Sequence, residues 1–164
     1  ENNLADRVII SSNGIGGSEI AQWRSGTPYY QMLRANLKQL LSQYQVTQML
    51  WHQGETDYAK NTSQKNYEQG MRDLIKELRS NGLNAPIYVS NTSRCWDDGS
   101  WSAVNPVTLA QKALVDSSKQ INAGVDSDAL MGELDRFDNC HFSGSGQEKF
   151  AQAWLGILRN SPKI

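Results

Sequence analysis

The sequence has little of what marks several classes of protein. Its 164 residues include only two cysteines and two histidines, too few for a disulfide-dense scaffold or a zinc knuckle. The formal net charge of −1 leaves no basic excess to attract nucleic acid or an acidic membrane surface. No apolar run approaches the ~20 residues that span a bilayer. We therefore expect neither nucleic acid nor a membrane as partner, and the length suffices for one domain with a real core.

Apolar and amphipathic segments alternate along the chain, which predicts strands and helices in turn. Apolar runs predict strands at residues 7–11, 47–51, 86–90 and 129–132. Helical periodicity predicts helices from Pro28 to about residue 41, around residues 67–78, from Pro106 to Gln120, and after residue 144, the last with a capping box of Ser145 and Glu148. This alternation predicts an α/β fold with a parallel sheet covered on both faces.

Polar loops follow the predicted strands. They comprise a glycine-rich loop at residues 12–18, the segment 52–57, the loop 91–101 and the segment 138–141. In parallel sheets, ligands bind beyond the carboxyl ends of the strands. The sequence thus predicts a functional site where these four loops meet.

Asp138 precedes His141 by three residues, just ahead of a predicted helix. This spacing lets the carboxylate accept a hydrogen bond from the Nδ1–H of the imidazole. Such a bond fixes the tautomer, leaves Nε2 as a general base and stabilises the imidazolium that forms during acyl transfer. The pair predicts two members of a catalytic triad, with the nucleophile supplied from elsewhere.

The glycine-rich loop has two functional interpretations. Gly14 and Gly16 after a strand are similar to a dinucleotide fingerprint, but Glu19 stands where the third glycine belongs and no helix follows at once. Alternatively, a glycine N–H faces the site as an oxyanion donor, because no Cβ blocks the substrate. A plain turn is the third possibility.

Gln53 lies at a predicted strand end, and its NH₂ group is a candidate to stabilise a tetrahedral oxyanion. Glu55 and Asp57 with His52 form a possible metal set. Because the chain offers no second carboxylate cluster at ligand spacing, we expect no metal and interpret both acids as residues that fix the loop.

Three segments together resemble the SGNH hydrolases, and most closely their sialate and carbohydrate O-acetylesterase branch. Gly16-Gly17-Ser18-Glu19-Ile20 with Trp23 looks like the second sequence block of that branch. The run from Trp51 to Asp57, Trp-His-Gln-Gly-Glu-Thr-Asp, looks like the third block, and Asp138-x-x-His141 looks like the last. The resemblance extends from about Val8 to Leu158.

The resemblance implies a flavodoxin-like three-layer α/β/α sandwich and the hydrolysis of acetyl esters without a cofactor. By position it implies His141 as base and Asp138 as its orienting partner. It also implies Gln53 and the N–H of Gly16, or of Gly17 if the register slips by one, as the oxyanion hole. The expected substrate is an acetylated carbohydrate, either sialic acid or a polysaccharide.

The first block of the family, a Gly-x-Ser turn after the first strand, has no counterpart here. Ser11 and Ser12 lack the flanking glycine turn, and Ser18 occupies a position of the second block. We therefore expect residues 1–164 to form the C-terminal portion of a single hydrolase domain. The central strand and the nucleophilic serine would come from an N-terminal segment or chain of the same protein.

Several expectations stay open at this stage. The protein could instead be a catalytically inactive, carbohydrate-binding subunit of the same fold. Arg94 and Trp96, in the loop after the third predicted strand, are candidates for contact with the sugar. Cys95 and Cys140 could pair or stay free. A carbohydrate substrate favours a secreted or periplasmic location.

Overall fold

The computed structural model describes residues 7–95, 100–130, 132 and 134–161. Its helices are α1 (Pro28–Leu41), α2 (Glu55–Ala59), α3 (Gln64–Ser80), α4 (Pro106–Ala113) and α5 (Gly144–Arg159), with 3-10 helices at Ile20–Trp23 and Ser117–Lys119. Its strands are β1 (Met49–Trp51), β2 (Ile87–Asn91) and β3 (Ile121–Asp126). Within this part of the chain, no helix is both long and apolar enough to cross a membrane.

The three strands form one parallel sheet in the order β1-β2-β3. Alternate residues of the central strand point to opposite faces, as the pleat requires. Ile87 and Val89 pack into a large cluster with α1, α3 and α4, whereas Tyr88 packs against Trp154 of α5. Helices therefore cover both faces, which confirms the predicted α/β fold with a parallel sheet flanked by helices.

The helix starts follow local capping chemistry. Thr27, Ser63, Asn105 and Ser143 each accept a backbone N–H of the first turn of α1, α3, α4 and α5, respectively. Pro28 and Pro106 occupy first-turn positions, where a missing N–H removes no helical bond. The predicted capping box of Ser145 and Glu148 is wrong, because Ser143 is the cap of α5 and the Ser145 hydroxyl donates to the carbonyl of Leu134.

The end of α4 and the position of β3 differ from the prediction. Helix α4 ends at Ala113 rather than Gln120, and β3 occupies residues 121–126, while Ala129 lies in a turn. Ile121, Ala123 and Val125 alternate along β3, but this apolar set is short and the glycine between Ala123 and Val125 weakens a strand interior. Pairing with β2 stabilises the segment as a strand, so a tertiary contact offsets its weak local propensity.

The predicted strand at residues 7–11 is also wrong. The segment has no regular secondary structure and pairs with no strand among the described residues, and Val8, Ile9 and Ile10 are 69%, 60% and 87% exposed. It is anchored to α1 by Asn36, whose amide donates to Ser11 Oγ and Asn13 Oδ1 at 2.9 Å each. A β-branched run becomes a strand only where a neighbour accepts its backbone hydrogen bonds.

Candidate active site

The carboxyl ends of β1, β2 and β3 lead into residues 52–54, 92–95 and 127–130, on one edge of the sheet. Phe142, which follows His141, lies 6.5 Å from the ring of His52, the neighbour of Gln53. The candidate base and the candidate oxyanion residue are thus carried by adjacent segments at this edge. Their catalytic roles stay predictions.

Asp138 and His141 lie on one short loop. Nδ1 of His141 is 2.7 Å from Oδ2 of Asp138, and Oδ1 of the same carboxylate accepts the backbone N–H groups of His141 (2.6 Å) and Cys140 (3.0 Å). These bonds, led by the backbone N–H of His141, lower the pKa of Asp138 to about 2. The carboxylate is therefore ionised at neutral pH, and Nδ1 carries the hydrogen that it accepts.

The imidazole of His141 is open to solvent and stacks on an aromatic neighbour. Its side chain is 62% exposed. The ring of Phe137 lies 5.7 Å away at an interplanar angle of 17°. With Nδ1 held by Asp138, Nε2 is the nitrogen left to exchange a proton with a substrate or nucleophile.

Gln53 is buried behind this edge, and its amide hydrogens both have internal acceptors. Nε2 donates to Ser18 O (2.8 Å) and to Oδ2 of Asp57 (2.6 Å). The side chain is thereby fixed beside the glycine-rich loop, which the structure brings to the predicted place. A direct contact with an oxyanion requires one of these two hydrogen bonds to be released.

Gly16 and Gly17 form the exposed corner of a turn closed by Ser18 N donating to Ile15 O (3.3 Å). Gly17 has φ +70°, a left-handed conformation that glycine adopts without steric cost. Nothing lies within 4 Å of a Cβ built at either glycine. The turn therefore leaves open space beside its backbone, as an oxyanion donor would need.

Asp57 connects three parts of this region. The sequence predicted only that it fixes its own loop, and not that it also contacts distant residues. It is 1% exposed, and Oδ2 accepts both Ile20 N (2.8 Å) and the Gln53 amide. Its partner Ile20 lies 37 residues away, so no local pattern could reveal the contact. Glu55 accepts the N–H of Gly54 at 3.0 Å, in keeping with a loop-fixing role.

A buried polar network supports the main chain at Gln53. Tyr67 Oη donates to Gln53 O (2.5 Å), and Gln111 Nε2 also donates to that carbonyl (3.1 Å) and to Thr92 O (2.8 Å). Full burial strongly raises the pKa of Tyr67, which therefore stays protonated as a donor. The predicted amphipathic helix at residues 67–78 includes Tyr67, but no local pattern indicated that Tyr67 and Gln111 share this target.

The hydroxyls of Ser11, Ser18, Ser143 and Ser145 are each engaged in a hydrogen bond. Ser18 is 6% exposed and its Oγ accepts Nε1 of Trp23 at 3.1 Å. Ser143 and Ser145 both donate to Leu134 O. The hydroxyl of Ser11 is bonded to Asn36 on α1.

Arg94 lies in the loop after β2, with its guanidinium carbon 5.3 Å from the ring centroid of Trp101. Its backbone N–H donates to Asp128 at 3.0 Å. Trp96, the other predicted sugar contact, is outside the described residues. The sequence left the pairing of Cys95 and Cys140 open, and the structure joins them in a disulfide that connects the loop after β2 to the loop with Asp138 and His141.

The candidate metal set of His52, Glu55 and Asp57 does not converge. Both acids accept backbone or amide hydrogens, as described above, and His52 Nε2 lies 3.1 Å from Ser127 Oγ. In the part of the chain that the structure describes, no three His, Cys, Asp or Glu side chains are grouped to hold a metal ion. The ring of His52 instead packs against those of Phe142 and Phe150.

The parallel sheet flanked by helices, with the Asp138–His141 pair and the buried Gln53 amide beyond the carboxyl ends of its strands, defines the class of the protein as α/β. Residues 3–157 match the family model described as "Carbohydrate esterase, sialic acid-specific acetylesterase". The chain therefore belongs to this family of carbohydrate esterases. A comparison with curated proteins finds no match.

A solved structure supports the fold. The X-ray structure of an Arabidopsis thaliana protein at 1.6 Å resolution superposes with a TM-score of 0.66 and 24% sequence identity. The match covers 88% of this chain and 57% of the plant protein. The chain thus spans little more than half the length of that relative.

Proposed function

We propose that this protein is a serine esterase that removes O-acetyl groups from a carbohydrate, either sialic acid or a polysaccharide. The observation that carries the proposal is the pairing of His141 Nδ1 with the ionised carboxylate of Asp138 at 2.7 Å, in a member of a carbohydrate esterase family. The exposed imidazole can take a proton at Nε2, and Asp138 stabilises the resulting cation.

The reaction would run by acyl transfer. A serine hydroxyl attacks the acetyl carbonyl while Nε2 of His141 takes its proton. His141 then protonates the departing sugar oxygen, leaving an acetyl-serine, and next removes a proton from the water that hydrolyses it to acetate. The N–H of Gly16, or of Gly17, and the amide of Gln53 would hold the oxyanion.

For Gln53 to stabilise the oxyanion, one of its amide hydrogens must be released from its internal acceptor. The bond to Ser18 O is the one to exchange, because the bond to the charged Asp57 is the stronger. The glycine turn and Gln53 would then bind the substrate together. Arg94 and Trp96 are proposed as contacts to the sugar.

The serine is proposed to come from an N-terminal segment or chain of the same protein. Among the described residues, β1 is paired only with β2, which leaves its outer edge open. Leu50 on this strand is 44% exposed, and the apolar segment 8–10 is exposed as well. A strand docked beside β1 would satisfy its open side and carry the loop that follows it to the carboxyl ends of the other strands.

Intact mass and peptide sequencing of material purified from its source test this assignment. We expect a second polypeptide, or a longer chain, in which a fluorophosphonate labels one serine. His141→Ala should abolish hydrolysis of an aryl acetate by that material with little change in melting temperature. Wild-type turnover by His141→Ala would overturn the assignment of the base.

A carbohydrate-binding subunit without catalysis is the second candidate. It is favoured by the buried or engaged hydroxyls of Ser18, Ser143 and Ser145, and by the fully bonded amide of Gln53. The fluorophosphonate experiment separates the two, since a binder yields no labelled serine. The Cys95–Cys140 disulfide supports export to an oxidising compartment for either candidate.

A further inference from the structure

Arg136, two residues before Asp138, connects the segments that surround residues 138–141, which we call the catalytic loop. Its Nη2 donates to Ser127 O (2.8 Å), its Nε to Leu130 O (3.3 Å) and its Nη1 to Cys140 O. Cys140 is the residue directly before His141, so one side chain connects the end of β3 to the backbone that carries the imidazole.

The chemistry of the contact requires arginine. Three carbonyls at different places accept from one planar group, which a lysine ammonium cannot match in geometry. The guanidinium carbon also lies 4.4 Å from the ring centroid of Phe142, the residue after His141. Burial lowers the pKa of Arg136, and the nearby Asp128 carboxylate opposes that effect.

A second connection reaches the same loop by a covalent route. The Cys95–Cys140 disulfide ties Cys140 to the loop after β2. That loop is itself fixed by the buried Asp128, whose Oδ1 accepts Ser93 N and Arg94 N at 3.0 Å each and whose Oδ2 accepts Ser93 Oγ at 2.8 Å. Both connections therefore lead from Cys140 back to the segments at the carboxyl edge of the sheet.

Among the described residues, the other connections of the loop are local, and the Asp138 carboxylate itself accepts the N–H groups of Cys140 and His141. Antiparallel contacts join Arg136 with Phe142 and Phe137 N with His141 O (3.1 Å). The imidazole itself is mostly exposed and meets Asp138 and Phe137. The position of the ring relative to the strand ends thus depends on where the backbone of Cys140 and His141 is held.

We propose that Arg136 is a positioning residue for His141, and that it acts in parallel with the Cys95–Cys140 disulfide. Either connection alone keeps the loop in place, whereas loss of both frees the imidazole from Asp138. The inference rests on the proposed function only for the role of His141, because the position of the ring can be read without turnover.

The test measures the tautomer of His141 by its ring ¹⁵N chemical shifts, at a pH where the imidazole is neutral. The variants are Arg136→Met, Cys95→Ser and the two combined. We expect each single variant to keep the Nδ1–H form as its main tautomer. The double variant should show a mixture of the two tautomers, a larger change than the sum of the single effects.

Arg79→Met is the matched control. Arg79 also donates to main-chain carbonyls, those of Leu83 (2.8 Å), Ala85 (2.5 Å) and Lys119 (3.4 Å), but contacts no residue of the catalytic loop. This variant, alone and with Cys95→Ser, should lower the melting temperature and leave the His141 tautomer unchanged. A double variant Arg136→Met/Cys95→Ser that keeps the wild-type tautomer would overturn the proposal.

If the double variant does not fold, Arg136→Lys in reduced protein decides the matter. Lysine retains the charge and at most part of the hydrogen bonding. We therefore expect the ratio of the two His141 tautomers to lie further from that of the oxidised wild type in reduced Arg136→Lys than in reduced wild type. An equal ratio in both would contradict the proposal.

In material with esterase activity, Arg136→Met is expected to lower kcat at least about tenfold in the reduced state, because a displaced base loses its alignment. KM should stay within about twofold. If the wild-type protein shows no esterase activity, the proposed function fails, while the tautomer measurement still decides the role of Arg136. An unchanged kcat in an active reduced variant would show that Arg136 does not position the base.

Discussion

The two halves of the candidate site are built in opposite ways. Gln53 and Asp57 are 8% and 1% exposed and lie in a network of hydrogen bonds that reaches Ser18, Ile20 and Tyr67. His141, by contrast, is 62% exposed on a loop that Arg136 and a disulfide connect to the sheet. The half with Gln53 is part of the folded core, whereas the half with His141 is attached to its surface.

Because of this difference, substitutions in the two halves should affect different properties of the protein. Changes in the buried half should act mainly on the free energy of unfolding, because they remove partners from groups that water cannot reach. Changes at the exposed pair should act mainly on chemistry, since water can replace lost contacts there. Substitutions in each half can therefore test whether stability and activity are divided in this way.

Gly54→Ala should have the largest effect on stability. A Cβ built at Gly54 lies 2.1 Å from Thr92 O and 2.6 Å from Nε2 of Gln111. The first of these is main chain and cannot rotate away, so we expect a loss of at least about 3 kcal/mol in urea unfolding. Gly156→Ala in α5, where nothing lies within 4 Å, should instead gain up to about 1 kcal/mol.

A Gly54→Ala protein with wild-type stability would show that the buried half can adjust its backbone. The contrast with the exposed half would then lose its basis.

Asp57→Ala should have the second-largest effect on stability. It leaves Ile20 N and one amide hydrogen of Gln53 without their charged acceptor, which costs about 2–3 kcal/mol. Asp73→Ala, which removes an exposed acceptor on α3, should change unfolding by less than about 0.5 kcal/mol. Equal effects of the two substitutions in denaturant melts would contradict the view that Asp57 joins the network.

Tyr67→Phe should have a smaller effect, about 1 kcal/mol. It removes the hydroxyl that donates to Gln53 O, but Gln111 still donates to the same carbonyl at 3.1 Å. Thermal unfolding measures this loss. Combining Tyr67→Phe with Gln111→Leu should cost more than the sum of the two, because that carbonyl then loses both donors; simple additivity would argue against the shared target.

Asp138→Asn should have the smallest effect on stability and one that depends on pH. The pKa of Asp138 is about 2 in the folded protein and about 3.9 in an unfolded chain. The ionised carboxylate therefore stabilises the fold above about pH 4, and this contribution disappears as the pH falls toward 2. The difference in melting temperature between wild type and variant should shrink across that interval.

A difference that grows on acidification would have the wrong sign. It would mean that the protonated carboxyl, and not the carboxylate, is favoured by folding.

Patterns set by near neighbours in the sequence were predictable. The helical faces of α1 and α3 and the apolar runs of β1 and β2 appear where their periods indicate. The three-residue spacing of Asp138 and His141 likewise anticipated a contact formed within one turn. Each of these features depends on residues a few positions apart.

Features that depend on distant partners were not predictable. Strand β3 exists because β2 accepts it despite Gly124, and residues 7–11 form no strand because no described strand pairs with them. The contact from Asp57 to Ile20 spans 37 residues. The carbonyls that Arg136 contacts depend on how the loop folds back, which an arginine in a polar loop does not reveal.

The one-sided pairing of β1 has a consequence for amide hydrogen exchange. Met49 N donates to Pro86 O, and since successive N–H groups of a strand point to opposite sides, that of Leu50 points to the open edge. The Leu50 amide should therefore exchange with solvent deuterium much faster than that of Met49. A segment that docks beside β1 would slow Leu50 selectively, so this single amide can report whether the edge is filled.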